Sequence, residues 1–156
     1  MYHTNVYKDV AADTLPHVSR TETTVERTPD GRRVVVAREV DAPPDAAWDV
    51  LVSTRRWPDW GPSVTAVRGP ERIGPGSTGE VRIAGVGLWV PFEVTAFDAD
   101  ARRWTWDVAR VPATGHRVEA VGADRCRVAF EIPVLAAGYA PVCRRALSRI
   151  ARLAER

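Results

Sequence analysis

The sequence predicts an α+β fold: a curved antiparallel sheet of six to seven strands wrapped around a long C-terminal helix, with one or two short helices after the first strand. Three observations lead there. Short segments between residues 33 and 133 alternate apolar and polar side chains, the period of half-buried strands. Turn residues interrupt them at short intervals, as in an antiparallel meander. From Tyr139 to Ala154, apolar residues (Tyr139, Val142, Cys143, Ala146, Leu147, Ile150, Leu153, Ala154) recur at three- and four-residue spacing. That stripe is too wide to face water, so the apolar face of the sheet must cover it.

In chain order, residues 1–19 are polar and aperiodic, which predicts a loosely held arm. The Thr-rich segment Thr21–Thr28 precedes Pro29-Asp30-Gly31, where proline presets the first corner and glycine accepts positive φ. Residues 1–32 are therefore set apart as an N-terminal arm able to add a strand, and 33–156 as the domain proper. Arg33–Asp41 is the first strand of that domain. Ala42-Pro43-Pro44-Asp45 ends it and opens a helix, with Asp45 at the positive end of the dipole and Ala47, Trp48, Leu51 and Val52 as its buried stripe. Trp57-Pro58-Asp59-Trp60-Gly61-Pro62 follows as a turn or second short helix. Trp57 and Trp60 suit either the core or the rim of a pocket.

Strands are expected near 63–71, 78–84, 88–98, 102–110, 115–122 and 125–133. Alternation places Val81 and Ile83 opposite Glu80 and Arg82, and Val90, Phe92, Val94 and Ala96 opposite Glu93 and Thr95. Likewise Trp104, Trp106 and Val108 oppose Asp107, His116 and Val118 oppose Glu119, and Val128, Phe130 and Ile132 oppose Glu131. Five strands thus share one dry face. Arg38, Arg68 and Asp107 fall outside any reliable inward register and are read as solvated. Pro141 suits the first turn of the final helix, whose arginines 144, 145, 149 and 152 form a solvated polar face.

Composition is that of one domain: 156 residues, 45% hydrophobic and 27% charged. A formal charge of +2 does not indicate nucleic acid. Lys8 is the only lysine. Cys126 and Cys143 lie far apart without CxxC spacing, which points to two buried thiols in a reducing compartment. The N-terminus lacks the basic-then-apolar pattern of a signal peptide, and no apolar run approaches membrane-spanning length, so a cytoplasmic protein is expected.

The segment VDAPPDAAWDVLVSTRRWPDWGPSV (40–64) resembles the opening of the START/Bet v 1-like (SRPBCC) superfamily, in particular its polyketide cyclase/dehydrase-like branch. There an A-P-x-x-x-V-W strand-to-helix junction precedes a W-x-x-W turn; Ala42-Pro43, Trp48, Trp57 and Trp60 occupy those places. GHRVEAVGADRCRVAFEIPV and ALSRIARLAE are similar to the last hairpin and closing helix of the family. The likeness covers about 33–156. It implies the helix-grip fold, with a deep cavity between sheet and last helix that holds hydrophobic small molecules, lipids among them. Members include passive carriers and cyclases or dehydratases of aromatic polyketides.

The lining residues expected from face assignment and the resemblance are Trp57, Trp60, Ile83, Phe92, Val94, Trp104, Trp106, His116, Val118, Phe130, Tyr139 and Val142. Trp104 and Trp106 are neighbours on the concave face, and indoles suit a flat aromatic ligand. His116 is the only histidine within the expected sheet, since His3 and His17 lie in the arm. It could polarise a carbonyl or act as general base. Tyr139 could offer its hydroxyl near the mouth.

A P-loop is excluded, because Gly74-Pro75-Gly76-Ser77-Thr78-Gly79 lacks the lysine. No Ser-His-Asp set, GxSxG elbow or metal-ligand spacing can be assembled. The expectation is therefore binding of a hydrophobic, aromatic or polycyclic small molecule, with no cofactor, metal, nucleic acid or membrane span, and a homodimer left open. The alternative is a cyclase or dehydratase in the same cavity using His116, with no residue firmly catalytic. A third reading is a protein-interaction module whose cavity is filled by its own side chains.

Overall fold

The computed structural model describes residues 20–156. The expected arm over 1–19, with His3 and His17, lies outside the described residues. The chain runs β1 (Thr21–Thr28), β2 (Gly31–Val40), α1 (Pro44–Val52), a 3-10 turn (Thr54–Arg56) and α2 (Trp57–Trp60). Then come β3 (Val64–Arg68), β4 (Thr78–Ile83), β5 (Trp89–Asp98), β6 (Arg103–Val108), β7 (Val111–Ala120) and β8 (Cys126–Pro133). A second 3-10 turn (Val134–Tyr139) leads into α3 (Ala140–Ala154). The strands form one antiparallel sheet in the order β1-β2-β8-β7-β6-β5-β4-β3.

The sheet has eight strands, one more than the segments between 33 and 133 supply. The eighth is β1, paired with β2 from Thr28↔Gly31 to Thr21↔Arg38. Its turn is tied by the Thr28 hydroxyl, which donates to the Gly31 carbonyl at 2.8 Å and accepts from the Asp30 N–H at 3.2 Å. Gly31 takes φ +95°, a region that costs other residues strain.

Curvature comes from three register shifts, at Val64/Ala66, Val94/Ala96 and Thr105/Asp107. Each extra residue bends its strand and strengthens the local twist. The second also corrects the expected pattern of β5. Strict alternation put Ala96 on the inner face, but the bulge turns Ala96 outward and exposed. Phe97 takes the inner place, its ring 5.5 Å from Trp48 of α1.

Helix α3 lies across β2 and β8 and buries Ala140, Cys143, Ala146, Leu147, Ile150 and Ala151. Leu147 and Ile150 are wholly inaccessible, each worth about 1.5–3 kcal/mol of burial. Tyr139 ends the preceding 3-10 turn rather than opening the helix. Arg38 is not solvated as expected: it shares the inner face of β2 with Val36 and Val40, and its Nη1 donates to Ser148 Oγ at 3.2 Å. A helix face lined by serine leaves room for such a contact where a larger apolar residue would not. Cys126 and Cys143 are buried free thiols, which burial pushes up to about 11 and about 12.

The outer face of the sheet carries a network that alternation did not predict. Glu131, expected among solvated charges, has a side chain 2% exposed. It accepts from Arg103 Nε (3.1 Å) and Nη2 (2.8 Å) and from Arg117 Nη1 (3.0 Å). Those arginines also bind Asp30, Glu26 and Glu119, so the β1–β2 hairpin is tied to β6, β7 and β8. Gly115 makes room: a Cβ there would stand 3.0 Å from Glu131 Oε1. Burial raises the Glu131 carboxyl, but the bonds from Arg103 and Arg117 outweigh it and hold it below its ordinary value.

Candidate ligand-binding site

Between the concave face, α2 and the start of α3 lie two adjoining compartments. The inner one is small, about 40 Å³, bordered by Trp57, Trp60, Trp106, Thr114, His116, Phe130, Tyr139, Val142 and neighbours. The outer one is about 250 Å³, bordered by Val81, Ile83, Val108, Pro112, Ala113, Ile132, Pro133 and Ala136. Ser63, Val64, Trp106, Thr114 and Tyr139 border both. The inner space holds one or two waters or a single functional group. The outer one takes a two-ring molecule.

The deep cavity expected between sheet and helix is therefore largely filled, and by aromatic side chains. Trp57 is fixed by α1: its Nε1 donates to the Leu51 carbonyl at 2.9 Å, and Trp60 Nε1 donates to the Val50 carbonyl at 3.2 Å. Both carbonyls lie in the last turn of α1, where no intrahelical partner exists. The WPDW segment thus ends one helix and points two indoles at the sheet.

Trp104 is the main correction. Instead of lining the space, it is fully buried, stacked on Trp57 at 5.5 Å (9°) and on His116 at 3.9 Å (24°). Across β5 it pairs with Phe97, which abuts α1, so it lies at the closed end of the bowl. Trp106, two residues on, reaches the open end. Val94 and Val118 are likewise core residues and border neither compartment. Phe92 packs edge-on to Trp57 at 5.3 Å and borders a separate depression with Glu80, Glu93 and Asp107. The structure brings together Trp57, Trp60, Trp106, His116, Phe130, Tyr139 and Val142 around the inner compartment, and Ile83 borders the outer one.

Thr114 falls between the strands expected near 102–110 and 115–122. The bulge at Thr105/Asp107 extends β7 back to Val111 and sets Thr114 inward, two residues from His116 on the same face. Counting back by two from His116 would have found it. Its hydroxyl accepts from Trp106 Nε1 at 3.2 Å and lies 2.9 Å from His116 Nε2. His116 is 1% exposed and pairs across the sheet with Trp104. Burial pushes its imidazole down to about 3, so it is neutral at neutral pH. Ser63 Oγ and Tyr139 Oη lie 2.6 Å apart at the mouth. Burial raises the phenol of Tyr139 above its ordinary value against the opposing Ser63 bond.

The arrangement is an apolar wall with three hydroxyl groups set into it. It can bury a flat molecule and bind one or two polar atoms at its edge. Among the described residues no group of three or more His, Cys, Asp or Glu stands close enough to hold a metal ion, and no helix is long and apolar enough to cross a membrane.

Residues 31–155 match the protein family described as polyketide cyclase / dehydrase and lipid transport. The chain belongs to this family. Among curated proteins none matches the sequence. Solved structures share the fold. The Zhui aromatase/cyclase from Streptomyces sp. R1128 has TM-score 0.62 and 16% identity over 80% of this chain and 94% of its own. The di-domain ARO/CYC BexL of the BE-7585A biosynthetic pathway has TM-score 0.62 and 18% identity over 78% of this chain and 45% of its own. Norcoclaurine synthase from Thalictrum flavum, in complex with dopamine and hydroxybenzaldehyde, has TM-score 0.53 and 15% identity over 85% and 87%. At such identities these likenesses concern the fold. They bear out the helix-grip architecture; the family match bears out the polyketide cyclase-like branch that the Trp48–Trp57–Trp60 region suggested.

Proposed function

We propose that this member of the family holds a hydrophobic, aromatic small molecule of about two fused rings in the outer compartment. Its flat face lies against Trp106, Ile83 and Val108, and its polar edge is directed at Thr114 and the Ser63–Tyr139 pair. One observation carries the reading: a compartment of about 250 Å³ whose wall is apolar except for those three hydroxyl-bearing residues. The aromatic packing behind it makes the site shallower than a deep cavity, which restricts the ligand to something smaller than a tetracyclic polyketide. Burying about 200 Å² of ligand surface stabilises the complex by about 5 kcal/mol before the costs of association. Affinity no tighter than about 0.2 mM is expected.

Binding is favoured over turnover by the state of His116. A general base works best with a pKa near the working pH, and this imidazole is held near 3 and lies behind Thr114. The test is calorimetric titration with 2-naphthol of the wild-type protein and of Ala113→Trp, whose indole fills the outer compartment. One-to-one binding that weakens at least about tenfold in the variant is expected. Equal binding by both proteins would place the ligand elsewhere.

A further inference from the structure

A second site lies across α2 from this pocket and shares no residue with it. Arg56, Asp59, Arg149, Arg152, Leu153 and Arg156 surround an open recess of about 280 Å³. Arg149, Arg152 and Arg156 are three and four residues apart on α3 and its end, so their guanidinium groups project from one side of the helix. Arg56 comes from the turn before α2. The residues that face inward from the same segment, Trp57 and Trp60, line the other site.

What marks the recess is its composition: four arginines surround it with a single carboxylate. Several arginines elsewhere on the described chain are paired with carboxylates: Arg55 with Glu71, Arg72 with Asp49, Arg102 with Asp45, Arg125 with Glu39 and Asp41, Arg117 and Arg127 with Glu119. Around the recess, the one carboxylate is Asp59, 4.0 Å from Arg56. Among the described residues, Arg149, Arg152 and Arg156 have no ion-pair partner. The overall balance of charge, which made these arginines look like an ordinary solvated face, conceals a local excess. A single arginine in the last turn suffices to complement the helix dipole. Four that converge repel one another unless an anion sits between them.

We propose that this recess is a phosphate-binding site. Guanidinium groups match phosphate oxygens two at a time, and several arginines around one oxyanion outdo a point charge. The ligand is a phosphomonoester or diphosphate, free in solution or at the surface of an acidic lipid. The site stands independently of the small-molecule pocket.

Inorganic pyrophosphate is titrated at low ionic strength, with amide chemical shifts as the readout, against three proteins. These are the wild type, Arg149→Gln/Arg152→Gln, and Arg27→Gln/Arg32→Gln, which removes the same charge from an exposed cross-strand pair. Saturable binding to the wild type is expected, with shifts confined to α2 and the end of α3. Affinity should fall about tenfold or more in the first variant and less than about twofold in the control. Absence of saturable binding, or an equal loss in the control, would overturn the proposal. Sedimentation with phosphatidate and with phosphatidylcholine vesicles then separates the sources. Retention by phosphatidate that is lost in Arg149→Gln/Arg152→Gln assigns the site to a headgroup. Pyrophosphate binding without vesicle retention assigns it to a soluble phosphate.

Discussion

Replacing Glu131 by Gln tests how the outer face holds the sheet in the shape the pocket needs. Glu131 lies between Phe130 and Ile132, which border the inner and outer compartments. Glutamine keeps the volume but removes the charge that accepts three bonds from Arg103 and Arg117, at 2.8–3.1 Å. Bonds of this charge-assisted kind contribute about 1.5–3 kcal/mol each. The loss is smaller than their sum, because the amide oxygen still accepts one bond and both arginines keep Asp30, Glu26 and Glu119. A destabilisation of about 2–3 kcal/mol at pH 7 is expected.

The effect has a pH signature. Because the Glu131 carboxyl is held below its ordinary value of 4.5, its contribution is fully present above pH 4.5 and lost as pH falls through the native value. Urea unfolding of both proteins at pH 7 and pH 3.5 gives the two differences. The gap should be large at pH 7 and narrower at pH 3.5. A gap below about 0.5 kcal/mol at pH 7, or one that widens in acid, would refute the reasoning.

Other consequences are read at the site. His116 should show no imidazole titration by NMR between pH 5 and 8. Because burial lowers its pKa from 6.5 to about 3, it should also make the fold less stable as pH drops below 6.5; a midpoint near 6.5 would mean that the ring is wet. Thr114→Val, which keeps the shape and leaves Trp106 Nε1 and His116 Nε2 without their partner, should cost about 2 kcal/mol in thermal or urea unfolding. An unchanged midpoint would show the bonds to be dispensable. Trp106→Ala should weaken 2-naphthol binding about tenfold or more, whereas Trp104→Phe, in the closed end, should alter stability and leave affinity within about threefold; the reverse ranking would restore Trp104 as a lining residue.

Much of this architecture was legible because two periods ran unbroken. The three- and four-residue spacing through Cys143, Ala146, Leu147 and Ile150 gave the closing helix its buried side. The two-residue alternation of β4, β6 and β8, and of β7 from His116 onward, gave the concave face. What escaped depended on interruptions of period. The bulge at Val94/Ala96 exchanged Ala96 for Phe97, and that at Thr105/Asp107 moved Thr114 from a turn into the site. Glu131 was assigned to the correct face, but its burial needs two arginines from neighbouring strands and a glycine opposite, none of which is adjacent in sequence. Trp104 and Trp106 are indistinguishable by alternation. Only the position of α1 and α2 over one end of the bowl makes the first a core residue and the second a pocket wall.

The most direct measurement is a crystal structure of the protein in complex with 2-naphthol. The account predicts ring density in the outer compartment, against Trp106 and Ile83, with the hydroxyl within hydrogen-bond distance of Thr114, Ser63 or Tyr139. Density only on the exterior of the sheet or helices, or an outer compartment closed by its own side chains, would contradict it.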